Sequence, residues 1–334
     1  MLKTKSSKCI FIMLYFSLLL FISTVSLKYG IENYSLKNIY LTLVNKNLED
    51  QSFFILHDIR IPRIIIGAFC GMLFAVSGSI LQSVFHNPMA APDILGINSA
   101  SSFFIILYSF YFSKFFELST IYFSIFGAML GFLLAILFTI EKRQISQFRL
   151  IIVGIACGVL FKALCQFLIM QSDEKLSSIL KFITGTLYHS TWKIIEQIFF
   201  PGCFFLLLAF LFLKKLDLLL LKDPDSKNLG FSPLPWKFFY IFVALGLSAT
   251  AVSGCGSLGF IGLISPNISK LFFGSQHKYN LIGSAFIGAN ITILSDFFGR
   301  IIVPPYEIPV GLITIILGVP YFLFLLKKTS KYNE

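Results

Sequence analysis

A succession of apolar segments, each about as long as a bilayer is thick, constrains this chain more than any other feature. They lie at roughly 9–27, 62–84, 97–113, 118–140, 149–170, 193–213, 237–253, 258–274, 279–299 and 308–326. About 20 apolar residues in helical form cross the hydrocarbon core. Lipid cannot satisfy free backbone N–H and C=O groups, so spans must be helices or closed barrels. The alternating pattern of a membrane barrel is absent from these segments. The expected fold is an all-α membrane protein with about ten transmembrane helices. Residues 1–334 read as a single transmembrane domain. Composition agrees: 56% of residues are hydrophobic and 13% charged, against about 25% charged in soluble domains. A soluble enzyme, a disordered chain and a disulfide scaffold are thereby excluded.

The net charge is +11, from 27 basic and 16 acidic residues. In so apolar a chain this excess marks cytoplasmic loops, not a nucleic-acid site. With the N-terminus inside, Lys3, Lys5, Lys8, Lys142, Arg143, Lys214, Lys215, Lys222, Lys227, Lys327 and Lys328 fall on one side. An even number of spans then puts both termini in the cytoplasm. The first segment resembles a signal peptide behind its lysines, but it lacks a convincing small-residue cleavage site and is read as a retained helix. Two long connections, 28–61 and 171–192, lie outside. The longest inside loop, 214–236, carries Pro224, Pro233 and Pro235 and is a candidate contact for a cytoplasmic partner. Ala75-Val76-Ser77-Gly78 recurs as Ala251-Val252-Ser253-Gly254, five spans later. The two copies would run oppositely across the membrane, as in inverted-repeat transporters.

Catalytic motifs are missing from the sequence. It holds no G-x-x-x-x-G-K-[ST] phosphate loop, no H-E-x-x-H and no G-x-S-x-G. The chain therefore reads as no enzyme by itself, with no cofactor or metal. Cys9, Cys70, Cys157, Cys165, Cys203 and Cys255 form no C-x-x-C pair and read as packing residues. His57, His86, His189 and His277 lie in loops or at span ends and are expected in solvent. Glycines and serines crowd the second, seventh and eighth spans, where they allow close helix packing or leave room for a path. Arg60 and Arg63 flank Pro62 at the outer start of the second span, and Arg300 ends the ninth. Their guanidinium groups suit bidentate carboxylate docking, or they snorkel at the interface. Asp296 lies one helical turn before Arg300 and could pair with it. Lys162 stands near the middle of an apolar span, where a charge is a functional candidate.

Several stretches resemble one known family. They are Arg60-Ile61-Pro62-Arg63, Ser77-Gly78-Ser79-Ile80-Leu81-Gln82 and Asn87-Pro88-Met89-Ala90-Ala91-Pro92-Asp93-Ile94-Leu95-Gly96. The run from Gly256 to Asn267, Ser295-Asp296 with Arg300, Glu307-Ile308-Pro309-Val310-Gly311 and Gly318-Val319-Pro320-Tyr321-Phe322 continue the series in order. Together they resemble the FecCD family, the permease subunits of binding-protein-dependent ABC importers for iron–siderophores, haem and cobalamin. Asn267 stands where the family usually has histidine, Met89 where leucine is common, and Lys181–Thr186 follows the family pattern only loosely.

The resemblance implies a permease working as a homo- or heterodimer with a second permease subunit. Two ATP-binding subunits would dock inside and an extracytoplasmic substrate-binding protein outside, in a bacterial cytoplasmic (inner) membrane. It implies binding-protein docking at Arg60, Arg63 and Arg300, and a cytoplasmic gate at Asn87, Met89, Ser146 and Gln147. ATPase coupling falls in the inside loop at Leu229 and Gly230. Lys162 has no expected counterpart and remains a pathway candidate. The cargo implied is an iron(III)–siderophore complex. Haem or cobalamin on the same scaffold, or an ion-coupled secondary transporter, are the alternatives.

Overall fold

The computed structural model describes residues 5–30, 32–44, 50–112, 119–141, 144–145, 147–171, 181–221 and 230–330. Its helices are α1 (Lys5–Lys28), α2 (Leu36–Leu43), α3 (Asp50–Phe54), α4 (Ile61–Val84), α5 (Ile97–Leu107), α6 (Thr120–Leu137) and α7 (Gln147–Met170). Then come α8 (Trp192–Leu211), α9 (Leu213–Leu218), α10 (Pro233–Cys255), α11 (Ile261–Phe273), α12 (His277–Ile301) and α13 (Val310–Ser330). Wide turns over Ile55–Arg60 and Tyr108–Phe112 join α3 to α4 and lengthen α5. A two-residue antiparallel ribbon pairs Ile140 with Ile145 and Glu141 with Gln144.

Among the described residues, eight helices are long and apolar enough to cross a membrane, and Ile97–Phe112 and Ile261–Phe273 are shorter apolar helices. Together they occupy the ten segments drawn from the sequence. The chain is an all-helical multi-pass membrane protein. Its lipid-facing surface is apolar: Phe16, Phe126, Leu133, Phe167, Phe200, Leu207 and Phe324 all stand exposed, where in water such a surface would aggregate.

The short eighth span has a local cause. Residues 256–260 are not helical, and Gly256 (φ +78°) and Phe260 (φ +65°) both lie in the left-handed region. A side chain on Gly256 would also strike the Lys181 carbonyl. The backbone therefore passes beside the turn at 181–186 before α11 begins. That turn joins the outer end of the bundle: Thr186 N–H donates to the Cys255 carbonyl at 3.0 Å and Ser257 N–H to the Phe182 carbonyl at 3.2 Å. Gly311 N–H donates to the Gly185 carbonyl at 2.9 Å.

The hub is α4, packed against α10, α11 and α12. Acyl chains compete with apolar side chains for helix surfaces, so helices in lipid associate through close backbone approach and interhelical hydrogen bonds. Both are present. A Cβ on Gly78 would overlap the Gly262 carbonyl, and one on Gly71 would lie 2.6 Å from the Gly288 carbonyl. Ser77 Oγ donates to the Ala244 carbonyl at 2.7 Å. Near the other end of α10, a Cβ on Gly254 would lie 2.8 Å from Cys70 Sγ. The two Ala-Val-Ser-Gly stretches thus sit on neighbouring antiparallel helices.

Both ends of the chain lie at one end of the bundle. Lys8 Nζ stands 4.9 Å from the Tyr279 ring centroid, at the start of α12. Leu325 of α13 packs with Met89 and Ile151. This is the end that carries the Asn87 turn.

Gly78→Ala should lower the apparent melting temperature of the detergent-purified protein by several degrees, because α4 and α11 must part. Gly158→Ala should leave it unchanged, since its Cβ would meet no atom closer than 3.4 Å. Equal melting of the two variants would contradict the close-approach account.

Candidate functional site

At the outer end the three arginines converge, but none lies free at a surface. Arg60 is 6% exposed, Arg63 4% and Arg300 6%. Each is held by a different kind of partner.

Arg63 forms the central pair. Its Nε donates to Asp296 Oδ1 at 2.8 Å, its Nη2 lies 2.7 Å from the same oxygen, and its Nη1 donates to Glu307 Oε1 at 3.1 Å. Three elements therefore meet on one guanidinium: α4, α12 and the segment leading into α13. Arg300 Nε lies 3.3 Å from Asp296 Oδ2, so the pairing expected within α12 exists but is the looser of the two. Arg300 Nη2 also donates to the Ser26 carbonyl at 3.2 Å and to Ser26 Oγ.

Arg60 is held differently. Its Nη1 donates to the Leu27 carbonyl and its Nη2 to the Glu32 carbonyl, each at 2.6 Å. The guanidinium lies 4.8 Å from the Tyr34 ring centroid, within cation–π range. Tyr34 OH donates in turn to Glu32. Gly30 closes the cover: a Cβ there would sit 2.8 Å from Arg60 Nη2 and 3.5 Å from Arg300 Nη1. Arg63 and Arg300 are balanced by Asp296 and Glu307. Among the described residues no carboxylate forms an ion pair with Arg60, though Glu32 and Asp58 line the cleft beside it.

These groups line an outer cleft of about 840 Å³, with Glu32, Arg60, Arg63, Trp192, Arg300 and Glu307 on its walls.

The inner end has a different chemistry. Asn87 Oδ1 accepts the Met89 N–H at 2.9 Å, and the Ala90 N–H donates to the Asn87 carbonyl at 3.1 Å, which closes a tight turn. Asn267 Nδ2 donates to the Pro88 and Leu263 carbonyls, both at 2.8 Å. The asparagine in the histidine position therefore tethers this turn to α11. Gln82 Nε2 donates to the Leu263 carbonyl at 3.3 Å and its Oε1 accepts from Lys270 Nζ at 2.9 Å. Met89 is buried with Ile94, Ile151, Ile264 and Leu325. Gln147 begins α7, and Ser146 lies outside the described residues.

Leu229 also lies outside the described residues, and Gly230 has φ +71° with open space around it. Beside the inside loop, α9 carries a network that the sequence reading missed. His277, expected in solvent, is fully buried. Its Nδ1 lies 2.7 Å from Asp217 Oδ1 and its Nε2 2.7 Å from Ser83 Oγ, while its backbone N–H donates to Asp217 at 3.0 Å. Burial works to raise the Asp217 carboxyl, but the His277 bonds outweigh it and hold it below the usual carboxylate range. The ring is shielded because α9 lies across the start of α12. No local pattern announces this contact, which joins residues far apart in the chain.

Lys162 lies in the outer half of α7, exposed from the protomer, on a second cleft of about 360 Å³. It is separate from the arginine rim.

Comparison with known proteins follows this geometry. The FecCD transport family profile matches residues 18–328. The chain is 35% identical over 288 residues to the Fe(3+)-citrate import system permease protein YfmE of Bacillus subtilis (strain 168), covering 83% of this chain and 84% of that one. It is 32% identical to the hemin transport system permease protein HmuU of Yersinia pestis, covering 88% and 90%. A solved structure of an inward-facing metal-chelate type ABC transporter superposes with TM-score 0.77 at 29% identity, over 96% of this chain and 100% of that one.

Replacing Arg63 by Met should destabilise the purified protein by about 3–5 kcal/mol, the loss typical of a broken buried pair. Arg60→Met, which strands carbonyls and no buried charge, should cost clearly less. Thermal unfolding of both variants checks the order, and the reverse order would refute the assignment of Arg63 as the tie.

Proposed function

This chain belongs to the FecCD transport family, and on that premise we propose that it carries an iron(III)–chelate complex, of siderophore type, inward across a bacterial cytoplasmic membrane. It acts as the permease subunit of an ABC importer. The observation that carries this reading is the whole-length likeness to a metal-chelate ABC transporter, joined to family motifs that cluster at two opposite ends of the bundle. The permease pairs with a second permease subunit. Two ATPase subunits dock on the inside loop near Gly230 and supply the hydrolysis that this chain lacks. A substrate-binding protein docks on the outer rim.

The rim chemistry supports a refined version of the docking role. Arg63 and Arg300 are neutralised within the chain and shape the cleft. Arg60 makes no ion pair among the described residues, and its donors are held by carbonyls. A carboxylate from the binding protein would bind it more strongly than a carbonyl does, because charge-assisted bonds are about twice as strong as neutral ones. The gate reading is supported by Met89, which buries an apolar plug on a turn braced by Asn87 and Asn267. Gln147 opens the neighbouring α7 and belongs to that gate by position.

Deleting the gene should abolish uptake of radiolabelled iron supplied as one chelate from a panel that includes haem. The loss should also follow ATP depletion with the proton gradient kept. Uptake that survives ATP depletion but stops with the gradient would support a secondary transporter instead. In the reconstituted importer, Arg60→Glu should leave the complex assembled and abolish stimulation of ATP hydrolysis by the binding protein. Full stimulation would remove Arg60 from the docking surface.

A further inference from the structure

The second cleft runs between the two ends already described. Ile183, Thr184 and Ser257 stand at its outer end, while Ile94, Phe260 and Phe322 line it and also pack in the gate cluster. It therefore leads from the outer turn at 181–186 toward Met89. Among the described lining residues, Asp93 and Lys162 are charged. The two are not equivalent. Asp93 Oδ2 accepts the Phe260 N–H at 2.8 Å, so its charge is engaged at the strained start of α11. Lys162 is exposed; it lies within electrostatic range of Asp93, but among the described residues no direct hydrogen bond or ion pair is made to its ammonium.

An intramembrane ammonium with no direct hydrogen bond or ion pair is tolerated where it meets water or a polar ligand. A structural lysine would have a carboxylate or carbonyl on it. A snorkelling lysine would run along its helix to the headgroups. Lys162 instead shares a wall with Ser99 and Ser257, whose hydroxyls are neutral donors. Together these groups offer one positive charge and O–H donors to a passing solute. Anionic oxygens gain from such a wall. Neutral or cationic complexes gain nothing from the charge.

We propose that Lys162 is a specificity-determining residue of the transport pathway and that the cargo is a net anionic metal chelate, its carboxylate or phenolate oxygens meeting the Lys162 ammonium on the way to the gate. The proposal rests on the permease reading above. It separates one class of chelate from the neutral complexes that the fold alone would accept.

The test uses cells deleted for this gene and complemented with the wild type, Lys162→Gln or Lys162→Arg, each checked for equal amount in the membrane. Lys162→Met replaces the glutamine variant if that fails to accumulate. Radiolabelled iron is offered as ferric citrate and as a ferric tris-catecholate, both anionic, and as a neutral ferric trihydroxamate. We expect deletion to remove uptake of an anionic complex. Lys162→Gln should lower its maximal rate by roughly fivefold or more, a barrier change of about 1 kcal/mol. The half-saturating concentration should stay put, because the binding protein sets it. Lys162→Arg should keep most of the rate. Wild-type velocity in Lys162→Gln would overturn the proposal and leave the permease reading standing. So would equal defects in Lys162→Gln and Lys162→Arg, which would make the role structural. Loss of the neutral complex alone would overturn the charge assignment. Undiminished uptake of every complex on deletion would overturn the permease reading and this proposal together.

Discussion

Lipid removes the usual reason for helices to associate, because an acyl chain is as good a neighbour for leucine as another leucine is. What holds this bundle is contact that lipid cannot imitate: backbone against backbone, and polar group against polar group. Helix α4 concentrates both. Gly71 and Gly78 bring it against the backbones of α12 and α11, and Ser77 bonds to α10. The same closeness leaves Arg63 only 4% exposed, so it needs Asp296 and Glu307 beside it. In that sense the ion cluster is a consequence of the packing and also a lock upon it. Once the helices meet this closely, removing one charge leaves the others stranded.

Much of the architecture was legible in the residues. Span positions follow from runs of apolar side chains matched to bilayer thickness, and all ten recur as helices. The shortness of α11 was the part least visible, because residues 256–260 are apolar enough to read as helix. Only their left-handed backbone, passed against the 181–186 turn, shows why they are not. The site was legible as a set of residues, but of its partners only the Asp296–Arg300 pair within α12 was. Arg60, Arg63 and Arg300 stand out in the sequence, yet their ligands come from α1, from the loop after it and from the segment before α13. His277 shows the same limit more sharply. A histidine at a span end looks solvated until a second element, α9, is laid over it. Lys181–Thr186 matched no strong motif, although it bonds to α10 and to the start of α13, because its contribution is made by backbone groups.

The two ends of the molecule solve different electrostatic problems. The outer rim gathers charge and neutralises most of it internally, with Arg60 beneath Gly30 and Tyr34 held by carbonyls. At the inner end the Met89 cluster is apolar, and the Lys270 ammonium beside it is held on Gln82. On the proposed reading Met89 is the plug, and amides from Asn87, Gln82 and Asn267 set the backbone around it. A charged solute passing such a site would meet attraction outside and an apolar barrier inside. That ordering suits a carrier whose inner exit stays shut until work is done on it.

The place where that work would enter is also connected mechanically to the rim. Asp217 on α9 holds His277 at the start of α12, and His277 holds Ser83 near the inner end of α4. Twenty residues further out on the same helix, about 30 Å at the helical rise, Arg63 grips Asp296 on the far part of α12. The helices α4 and α12 are thus clamped to each other at both ends, with the glycine contacts between. Contacts at both ends oppose sliding of one helix along the other. A displacement of α9 must either carry this pair with it or break the Asp217–His277 bond. The unit movement costs less, because a severed bond in the interior leaves both its groups unsatisfied.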